Sequence, residues 1–383
     1  MRRTVYTEDH EAFRQAFRQF LQAEVVPHYD EWYASGLFPK ELYLKLGELG
    51  VFGIEVPEEY GGSGIHSLKY AAVETEEVHR AGVSLGGSGV HVALCLHYIL
   101  GLATEEQKQR WLPPFISGEE MWAIAMTEPG TGSDLAGMIT NAKRDGDHYV
   151  LNGAKTFITG GVLADRVIVC ARTAPPSEDD RRYGISLLAV DTKSAGYAVG
   201  RKLDKLGLKT SDTAELSFTD VRVPVGDLIG EENKGFSYLG ANLPRERLSI
   251  ALGAYAQAAA AVEFAKDYVQ QRKVFGHSVA SFQNTKFELA ACKAEVDAAE
   301  AVVDRALEAY DAGELTAAEA ASAKLFCTEV AHRVIDRCLQ LHGGYGFINE
   351  YPIARLYADN RVNRIYGGTS EVMKMIIAKD MGL

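Results

Sequence analysis

Two segments of the chain combine residue types that suit the binding of a polar ligand. Residues 125–137 read AMTEPGTGSDLAG, and residues 155–161 read KTFITGG. The glycines, the proline and the Ser-Asp step of the first segment predict a loop with unusual dihedral angles and exposed backbone N–H groups. Such loops suit an anion or a polar heterocycle that approaches the backbone closely. A plain surface loop explains these residues equally well, because one glycine-rich loop is weak evidence for a binding site.

Four further motifs follow a fixed order along the chain. Residues 101–119 read GLATEEQKQRWLPPFISGE, 271–276 read QRKVFG, 340–346 read QLHGGYG, and 365–371 read IYGGTSE. Together with residues 125–137, they resemble the motifs of the acyl-CoA dehydrogenase family in their expected order, and the chain is identified as a member of it. The resemblance implies that bound FAD carries out a two-electron oxidation of an acyl-CoA thioester. In this reaction a base takes the α-proton and the flavin takes a β-hydride, while the protein supplies orientation and electrostatics.

The resemblance also implies which residues surround the flavin ring. One group lines the isoalloxazine ring, a second covers its other side, and a third lies where flavin and acyl-CoA meet. Thr127 would offer its hydroxyl to a ring nitrogen, and Phe157 stands where several relatives have tryptophan. Without the family context, Phe157 would be interpreted as a core aromatic. The group that lines the ring is Ile124, Met126 and Thr127, and the group that covers its other side is Phe157, Ile158 and Thr159. The group at the junction of flavin and acyl-CoA is Gly132 and Ser133.

The diphosphate of the cofactor requires cations or N–H donors. Arg272 is the candidate, since its planar guanidinium matches phosphate oxygens. In the family this segment reaches the flavin of a neighbouring subunit, so the resemblance implies at least a dimer and favours a dimer of dimers. Gly343 and Gly344 would let the backbone approach the cofactor, although a helix C-cap explains them equally well. The further cofactor-binding residues implied are Phe275, Gln283, Gln340, Thr369 and Glu371.

The proton-abstracting base must be a carboxylate in a dry pocket, where desolvation raises its pKa. Many family members carry it on a C-terminal loop, at the position that is Gly367 here. Long-chain and isovaleryl-type relatives, which this chain resembles more closely, carry it on a helix in an E-R-L context. The sequence LPRERLS at 243–249 therefore predicts Glu246 as the base. A surface carboxylate is the ordinary interpretation of an isolated helical glutamate, and Glu371 is a second candidate for the base.

Two other residues complete the predicted substrate site. The backbone N–H of Gly367, together with a ribityl hydroxyl of the flavin, would polarise the thioester carbonyl and stabilise the developing enolate. Ser133 and Arg247 are the predicted substrate-contacting residues, and Arg247 either positions the CoA portion or braces the site. Pro244, just before the base, would kink the helix or mark its first turn.

The hydrophobic pattern divides the chain into three parts. Apolar residues recur at helical spacing up to about residue 120, and short β-branched or aromatic runs follow up to about 233. Helical spacing then returns, with long helices predicted over 284–312 and 316–342. We predict an N-terminal helical domain (1–121), a middle antiparallel β-domain (122–233) and a C-terminal four-helix bundle (234–383), which agrees with the architecture of the family.

Composition excludes several other classes. A net charge of −12 without a basic stripe argues against nucleic-acid binding. Five scattered cysteines without a C-x-x-C motif indicate reduced thiols and no metal site. The chain has no G-x-G-x-x-G loop after a strand, which argues against a nicotinamide enzyme. We also expect no apolar run of membrane-spanning length and no leader or peroxisomal signal, so a bacterial cytoplasm is the simplest location, with a processed mitochondrial form left open.

The predicted function is acyl-CoA dehydrogenation, with a long-chain or branched acyl group and with electrons passed to an electron-transferring flavoprotein. One alternative is an acyl-CoA oxidase that uses oxygen, although the chain is shorter than typical oxidases of the superfamily. Another is an inactive flavin- or CoA-binding scaffold, suggested by the missing carboxylate at Gly367. The acyl chain length stays open, since helix-borne bases occur in relatives with different substrates.

Overall fold

The computed structural model describes residues 3–383, in which helices precede and follow a central region of strands. The predicted fold class is confirmed, while the exact boundaries at 121 and 233 stay predictions. The first helices lie between residues 8 and 116. A short π-helical segment at Leu21–Val25 extends the first of them, and another at His91–Cys95 joins the fifth to the sixth. They are α1 (Glu8–Phe20), α2 (Tyr29–Ser35), α3 (Lys40–Glu48), α4 (Lys69–Arg80), α5 (Ser88–Val90), α6 (Leu96–Leu102) and α7 (Glu105–Ile116).

Helix α7 shows how the first region is attached to the strands. It begins with a capping box, in which the Thr104 hydroxyl accepts from the Gln107 N–H and the Gln107 amide oxygen accepts from the Thr104 N–H. The Gln107 amide also donates to the carbonyls of Gly226 and Leu228, both at 2.8 Å. One buried side chain therefore caps the helix and fastens it to the edge of the sheet.

The middle region is one twisted sheet in the order β6-β7-β3-β2-β4-β5-β8, with β1 also paired to β4. Most pairs are antiparallel, as predicted, but β1 and β2 both run parallel to β4. Strand β4 is buried along Val167–Ala171, because one of its faces packs on the first helices and the other on the sheet's own core. The strands are β1 (Trp122–Ala125), β2 (Asn141–Asp145), β3 (His148–Thr159), β4 (Arg166–Arg172), β5 (Ile185–Asp191), β6 (Tyr197–Lys202), β7 (Thr213–Pro224) and β8 (Leu228–Ile229).

The C-terminal region is a bundle built around one long helix. A small hairpin follows that helix, and α10 packs against α8, α9, α11 and α12. The helices predicted over 284–312 and 316–342 agree with α9 and α10 to within one residue at each end. The elements are α8 (Gly235–Gln271), β9 (Lys273–Val274), β10 (His277–Ser278), α9 (Gln283–Asp311), α10 (Ala317–Leu341), α11 (Pro352–Asn360) and α12 (Ser370–Asp380).

Helix α8 corrects two expectations from the sequence. By length and composition it could cross a membrane, so the expectation that no run reaches that length was wrong. However, 67% of its most apolar window is buried inside the protein, where small residues such as Ala254, Ala258 and Ala261 let neighbouring helices approach closely. Pro244 lies inside this helix rather than in its first turn, which begins at Gly235.

Candidate active site

Glu246 lies on the buried side of α8, near the start of the bundle. Its side chain is only 7% exposed, and one carboxylate oxygen accepts a hydrogen bond from the Tyr98 hydroxyl at 3.2 Å. Burial raises the pKa of Glu246 to about 7, although the bond from Tyr98 and the nearby positive charges of Arg247 and Arg245 act in the opposite direction. A carboxylate with this pKa can take up a proton at neutral pH, which is the property required of a general base.

The two arginines that flank Glu246 are bound elsewhere. Arg245 contacts Glu55 at 2.5 Å, the Ala93 carbonyl at 2.7 Å and the Tyr310 hydroxyl at 2.9 Å. The Arg247 Nε lies 3.4 Å from the carbonyl oxygen of Gly367. That contact supports the bracing role of Arg247, since its guanidinium lies against the loop that faces the helix.

The loop at Gly367 has a conformation that favours glycine. Gly367 and Gly368 have φ angles of +63° and +97°, which L side chains rarely adopt. A Cβ added at Gly367 would lie 2.4 Å from Cδ1 of Ile250, one helical turn beyond Glu246. A side chain at this loop position would therefore need a left-handed backbone and a shift of the Ile250 side chain, so the position favours glycine here.

Lys324 on α10 also binds the loop that contains Gly367. Its side chain is 1% exposed, and its ammonium donates to the Tyr366 carbonyl at 2.6 Å and to the Gly368 carbonyl. Burial lowers the pKa of Lys324 to about 8, and the like charge of Arg247 acts in the same direction. We did not identify this residue from the sequence, although a single lysine within the alanine-rich face of α10 is a recognisable signal.

The two glycine-containing segments meet beside β1. The Thr156 N–H donates to the Thr127 carbonyl at 2.9 Å, so the loop after β1 packs along β3. Phe157 lies at an irregularity in the pairing of β3 with β7, has φ +60° and leaves 66% of its side chain exposed. Such a conformation is uncommon for a bulky residue and is found at functional sites. Phe157 is therefore not a core aromatic.

A buried ion pair fixes this loop. Lys155 donates to Glu128 at 2.9 Å and to the Met126 carbonyl at 2.9 Å. The Glu128 carboxylate also accepts from the N–H groups of Ile139 and Thr140, at 2.7 and 3.0 Å. These bonds close the loop between its two ends. Glu128 and Lys155 stand within the two motifs read from the sequence, yet we assigned them no role, because their burial depends on the pairing of distant segments.

The remaining residues predicted to surround the flavin ring differ in exposure. Gly132 and Ser133 are exposed, whereas Met126, Thr127 and Thr159 are half-buried. Ile124 and Ile158 are buried, and their side chains belong to apolar cores on either face of the sheet. Only the backbone of Ile158 therefore stands beside the exposed ring of Phe157.

A second cluster lies at the other end of α8. Arg272, Gly343 and Gly344 line one cavity of about 460 Å³, together with Tyr268, His342 and Tyr345. The Arg272 guanidinium lies 5.6 Å from the centre of the Tyr345 ring, and it makes no ion pair within residues 3–383. The C-cap of α10 is His342, and Gly343 follows it with φ +59°, as is common for the glycine that ends a helix.

The other predicted cofactor residues lie around these two clusters. Phe275 is 93% exposed, and Gln283 and Gln340 are exposed as well. Thr369 caps α12 by accepting from the Val372 N–H at 3.4 Å. Glu371 is exposed, and hydrogen bonds from its own N–H and from Thr369 lower its pKa, which disfavours it as a base relative to Glu246.

The two clusters are far apart within one chain. Glu246 and Arg272 are separated by 26 positions of continuous helix, which at about 1.5 Å per residue amounts to about 39 Å. Each cluster nevertheless fits part of a flavin dinucleotide. The exposed ring of Phe157 and the fixed loop beside it suit the isoalloxazine end, and the uncompensated cation of Arg272 in an open cavity suits the phosphates.

Comparisons with known proteins identify the family. Models of the acyl-CoA dehydrogenase N-terminal, middle and C-terminal domains match residues 7–119, 123–221 and 233–382. The chain is 44% identical over 379 residues to the mitochondrial long-chain specific acyl-CoA dehydrogenase of Sus scrofa, covering 99% of this chain and 88% of that protein. It is 40% identical over 381 residues to the 3-(aryl)acrylate reductase of Clostridium sporogenes, covering 98% and 99%. An acyl-CoA dehydrogenase structure from Geobacillus kaustophilus matches with a TM-score of 0.96 at 46% identity, covering 99% of both chains.

Two further relatives bear on the cofactor and the electron partner. A glutaryl-CoA dehydrogenase from Mycobacterium smegmatis, solved in complex with FADH2, matches with a TM-score of 0.89 at 29% identity, covering 98% and 95% of the two chains. The caffeyl-CoA reductase-Etf complex subunit CarC of Acetobacterium woodii is 37% identical over 374 residues, covering 97% and 98%. With all three domain models matched and relatives aligned over nearly its full length, the chain belongs to the acyl-CoA dehydrogenase family of FAD-binding enzymes.

Proposed function

We propose that this acyl-CoA dehydrogenase desaturates its thioester between the α- and β-carbons, with Glu246 as the base. The observation that carries the proposal is the burial of Glu246, whose pKa is raised to about 7 beside a loop that has no carboxylate. A general base is most effective when its pKa lies near the working pH. The missing carboxylate at Gly367 therefore does not support an inactive scaffold.

Each residue of the proposed site has a separate role in this scheme. Glu246 takes the α-proton, and Tyr98 holds the carboxylate in place through its hydroxyl. The backbone N–H of Gly367 donates to the thioester carbonyl, where negative charge develops as the proton leaves. Phe157 and the loop fixed by Lys155 would hold the flavin ring against the substrate. Bound FAD supplies the oxidising power by accepting a hydride from the β-carbon.

We propose a long-chain or branched acyl group as the substrate. The similarity to the enzyme of Sus scrofa that is named as long-chain specific supports this choice. A second candidate is the reduction of an aryl-substituted acrylyl thioester, which the similarity to the 3-(aryl)acrylate reductase favours. The two candidates use the same base and the same Gly367 N–H, and they differ in the acyl group that the enzyme accepts.

We propose an electron-transferring flavoprotein as the partner that reoxidises the enzyme. The relative named as a subunit of a reductase-Etf complex supports this partner over oxygen. We also propose a dimer of dimers in which the Arg272 cluster of one subunit binds the flavin of another. The separation of Glu246 from Arg272, which follows the end of α8, is about 39 Å and supports a shared site, and so does the exposure of Phe275. The cytoplasmic location stays a prediction.

The test is anaerobic mixing of the flavin-loaded protein with saturated acyl-CoAs of increasing length, a branched acyl-CoA and a 3-arylpropanoyl-CoA. Loss of the visible flavin absorbance with one class identifies that class as the substrate. Adding an electron-transferring flavoprotein, or oxygen, to the reduced enzyme then separates a dehydrogenase from an oxidase. A protein that retains FAD but is bleached by none of these thioesters contradicts the proposal.

A further inference from the structure

The bonds of Lys324 are unusual for a buried cation. The side chain is 1% exposed, and its ammonium makes no ion pair within residues 3–383. Its acceptors are instead two backbone carbonyls, those of Tyr366 and Gly368. Burying a charge without a counter-ion costs free energy. We therefore expect the ammonium at this position to have a function besides packing.

The bonded carbonyls belong to the loop that faces Glu246. Three successive carbonyl oxygens, at positions 366, 367 and 368, each contact a cation, since Arg247 lies 3.4 Å from the middle one. The positive φ angles of Gly367 and Gly368 allow the chain to present its carbonyls in this way. The loop is therefore held by charge from α8 on one side and from α10 on the other.

The Tyr366 carbonyl has a direct link to the proposed chemistry. The C=O of Tyr366 and the N–H of Gly367 belong to the same planar peptide group. A cation on the oxygen fixes the plane of that group and polarises it, which makes the N–H a stronger donor. Within the described chain, the Gly367 N–H donates to no protein acceptor, so it is free to bind a ligand.

We propose that Lys324 is a positioning residue that aims and strengthens the Gly367 N–H toward the thioester carbonyl. This inference rests on the proposed function. Lys324 does not touch the substrate in this scheme, and it acts through the peptide group between Tyr366 and Gly367. As the α-proton leaves, negative charge grows on the thioester oxygen, and the ammonium behind the peptide stabilises that charge.

The test compares three variants in the flavin-loaded protein. Lys324→Met keeps the length of the side chain and removes the ammonium, whereas Lys324→Arg keeps a cation. Lys205→Met is the control, because Lys205 is half-buried and, like Lys324, bonds a backbone carbonyl, that of Ser211 in the middle region. Each variant is checked for flavin content and thermal unfolding before its kinetics are measured.

Two readouts separate positioning from folding. The first is the rate of flavin reduction at saturating acyl-CoA, together with the apparent affinity for that acyl-CoA. The second is the pKa at which a bound 3-oxoacyl-CoA forms its enolate, followed by ultraviolet absorbance. This ligand loses its α-proton without being oxidised. For Lys324→Met we expect reduction about tenfold slower, the enolisation pKa raised by about one unit and the affinity little changed.

The outcomes decide the inference. Slower reduction with a raised enolisation pKa in Lys324→Met, recovery in Lys324→Arg and no change in Lys205→Met support it. Wild-type behaviour of Lys324→Met overturns it, and so does an equal loss in Lys205→Met. If Lys324→Met fails to retain flavin, Lys324→Gln is judged by the same criteria. A wild-type protein that is bleached by no acyl-CoA would instead contradict the proposed function itself.

Discussion

The sites at the two ends of α8 differ in burial and in the pairing of their charged groups. At the Glu246 end, charged groups are buried and every one of them has a partner within the chain, such as Tyr98 for Glu246 or Glu55 for Arg245. At the Arg272 end, the cation is exposed, lines an open cavity and is followed by an almost fully exposed Phe275. One end is complete in a single chain, and the other has the properties of a surface that a second molecule covers. The difference suggests that proton transfer is organised within a subunit and cofactor retention between subunits.

The largest effect is expected at the buried end, from Glu246→Gln. The amide cannot accept the α-proton, so flavin reduction by acyl-CoA should slow by about 10²–10⁴-fold. The flavin content should stay unchanged, because the mutation does not touch the Arg272 cluster. Glu263→Gln, at an exposed carboxylate of the same helix, is the control and should react like the wild type. Undiminished reduction in Glu246→Gln would show that another group is the base.

At the open end, Arg272→Ala should weaken FAD binding. Losing a charge-assisted bond to a phosphate corresponds to about 1.5–3 kcal/mol, or roughly 10–100-fold in affinity. The measurement is FAD titration of the apoprotein, with gel filtration to follow the oligomer. Arg201→Ala removes an equally exposed arginine that is paired with Glu215, and it should change neither quantity. Full flavin retention by Arg272→Ala would contradict the proposal that the Arg272 end of α8 binds the cofactor.

A smaller effect is expected for Gly367→Ala. The left-handed backbone costs an alanine about 1–2 kcal/mol, and the new Cβ also meets Ile250. The variant should unfold at a lower temperature and reduce its flavin more slowly. Adding Ile250→Ala should recover the part of the loss that comes from contact, which a double-mutant cycle measures. Gly253→Ala on α8 is the control, since nothing lies within 4 Å of its added Cβ and helical alanine is favoured. Equal losses in both glycine variants would contradict the steric explanation.

The smallest effect concerns pH. Glu246 must be unprotonated to act, so the rate of flavin reduction should rise as the pH increases through about 7. The bond from Tyr98 lowers this pKa. Tyr98→Phe removes that bond and should move the rise to higher pH by up to about one unit. A shift to lower pH would mean that the hydroxyl does not stabilise the ionised carboxylate.

The sequence predicts regular elements well because their signals are local. Helices α9 and α10 were located from their periodicity, and the strand region was recognised from its short β-branched runs. The exception was the apolar stretch of α8, because a long helix that is mostly buried in a bundle has a composition similar to that of a membrane span. The parallel pairing of β1 with β4 also escaped prediction, since nothing near β1 in the sequence specifies its partner.

The residues of the proposed site show the same difference between local and long-range signals. Glu246, Gly367 and Arg272 are predicted from the sequence because motifs that resemble those of the family surround them. Tyr98 and Lys324 were missed, because each meets the site from a segment far away in the chain. Tyr98 is 148 positions from Glu246, and Lys324 is 42 positions from Tyr366. Their proposed roles rest on packing and burial, which only the three-dimensional structure provides.

The crowding of Gly367 by Ile250 also bears on where a base could be placed by design. A carboxylate introduced at position 367 would meet both an unfavourable backbone angle and the Ile250 side chain. We therefore expect Gly367→Glu combined with Ile250→Ala to accommodate a loop carboxylate more readily than Gly367→Glu alone. The two positions should accordingly be changed together when the base is relocated by design.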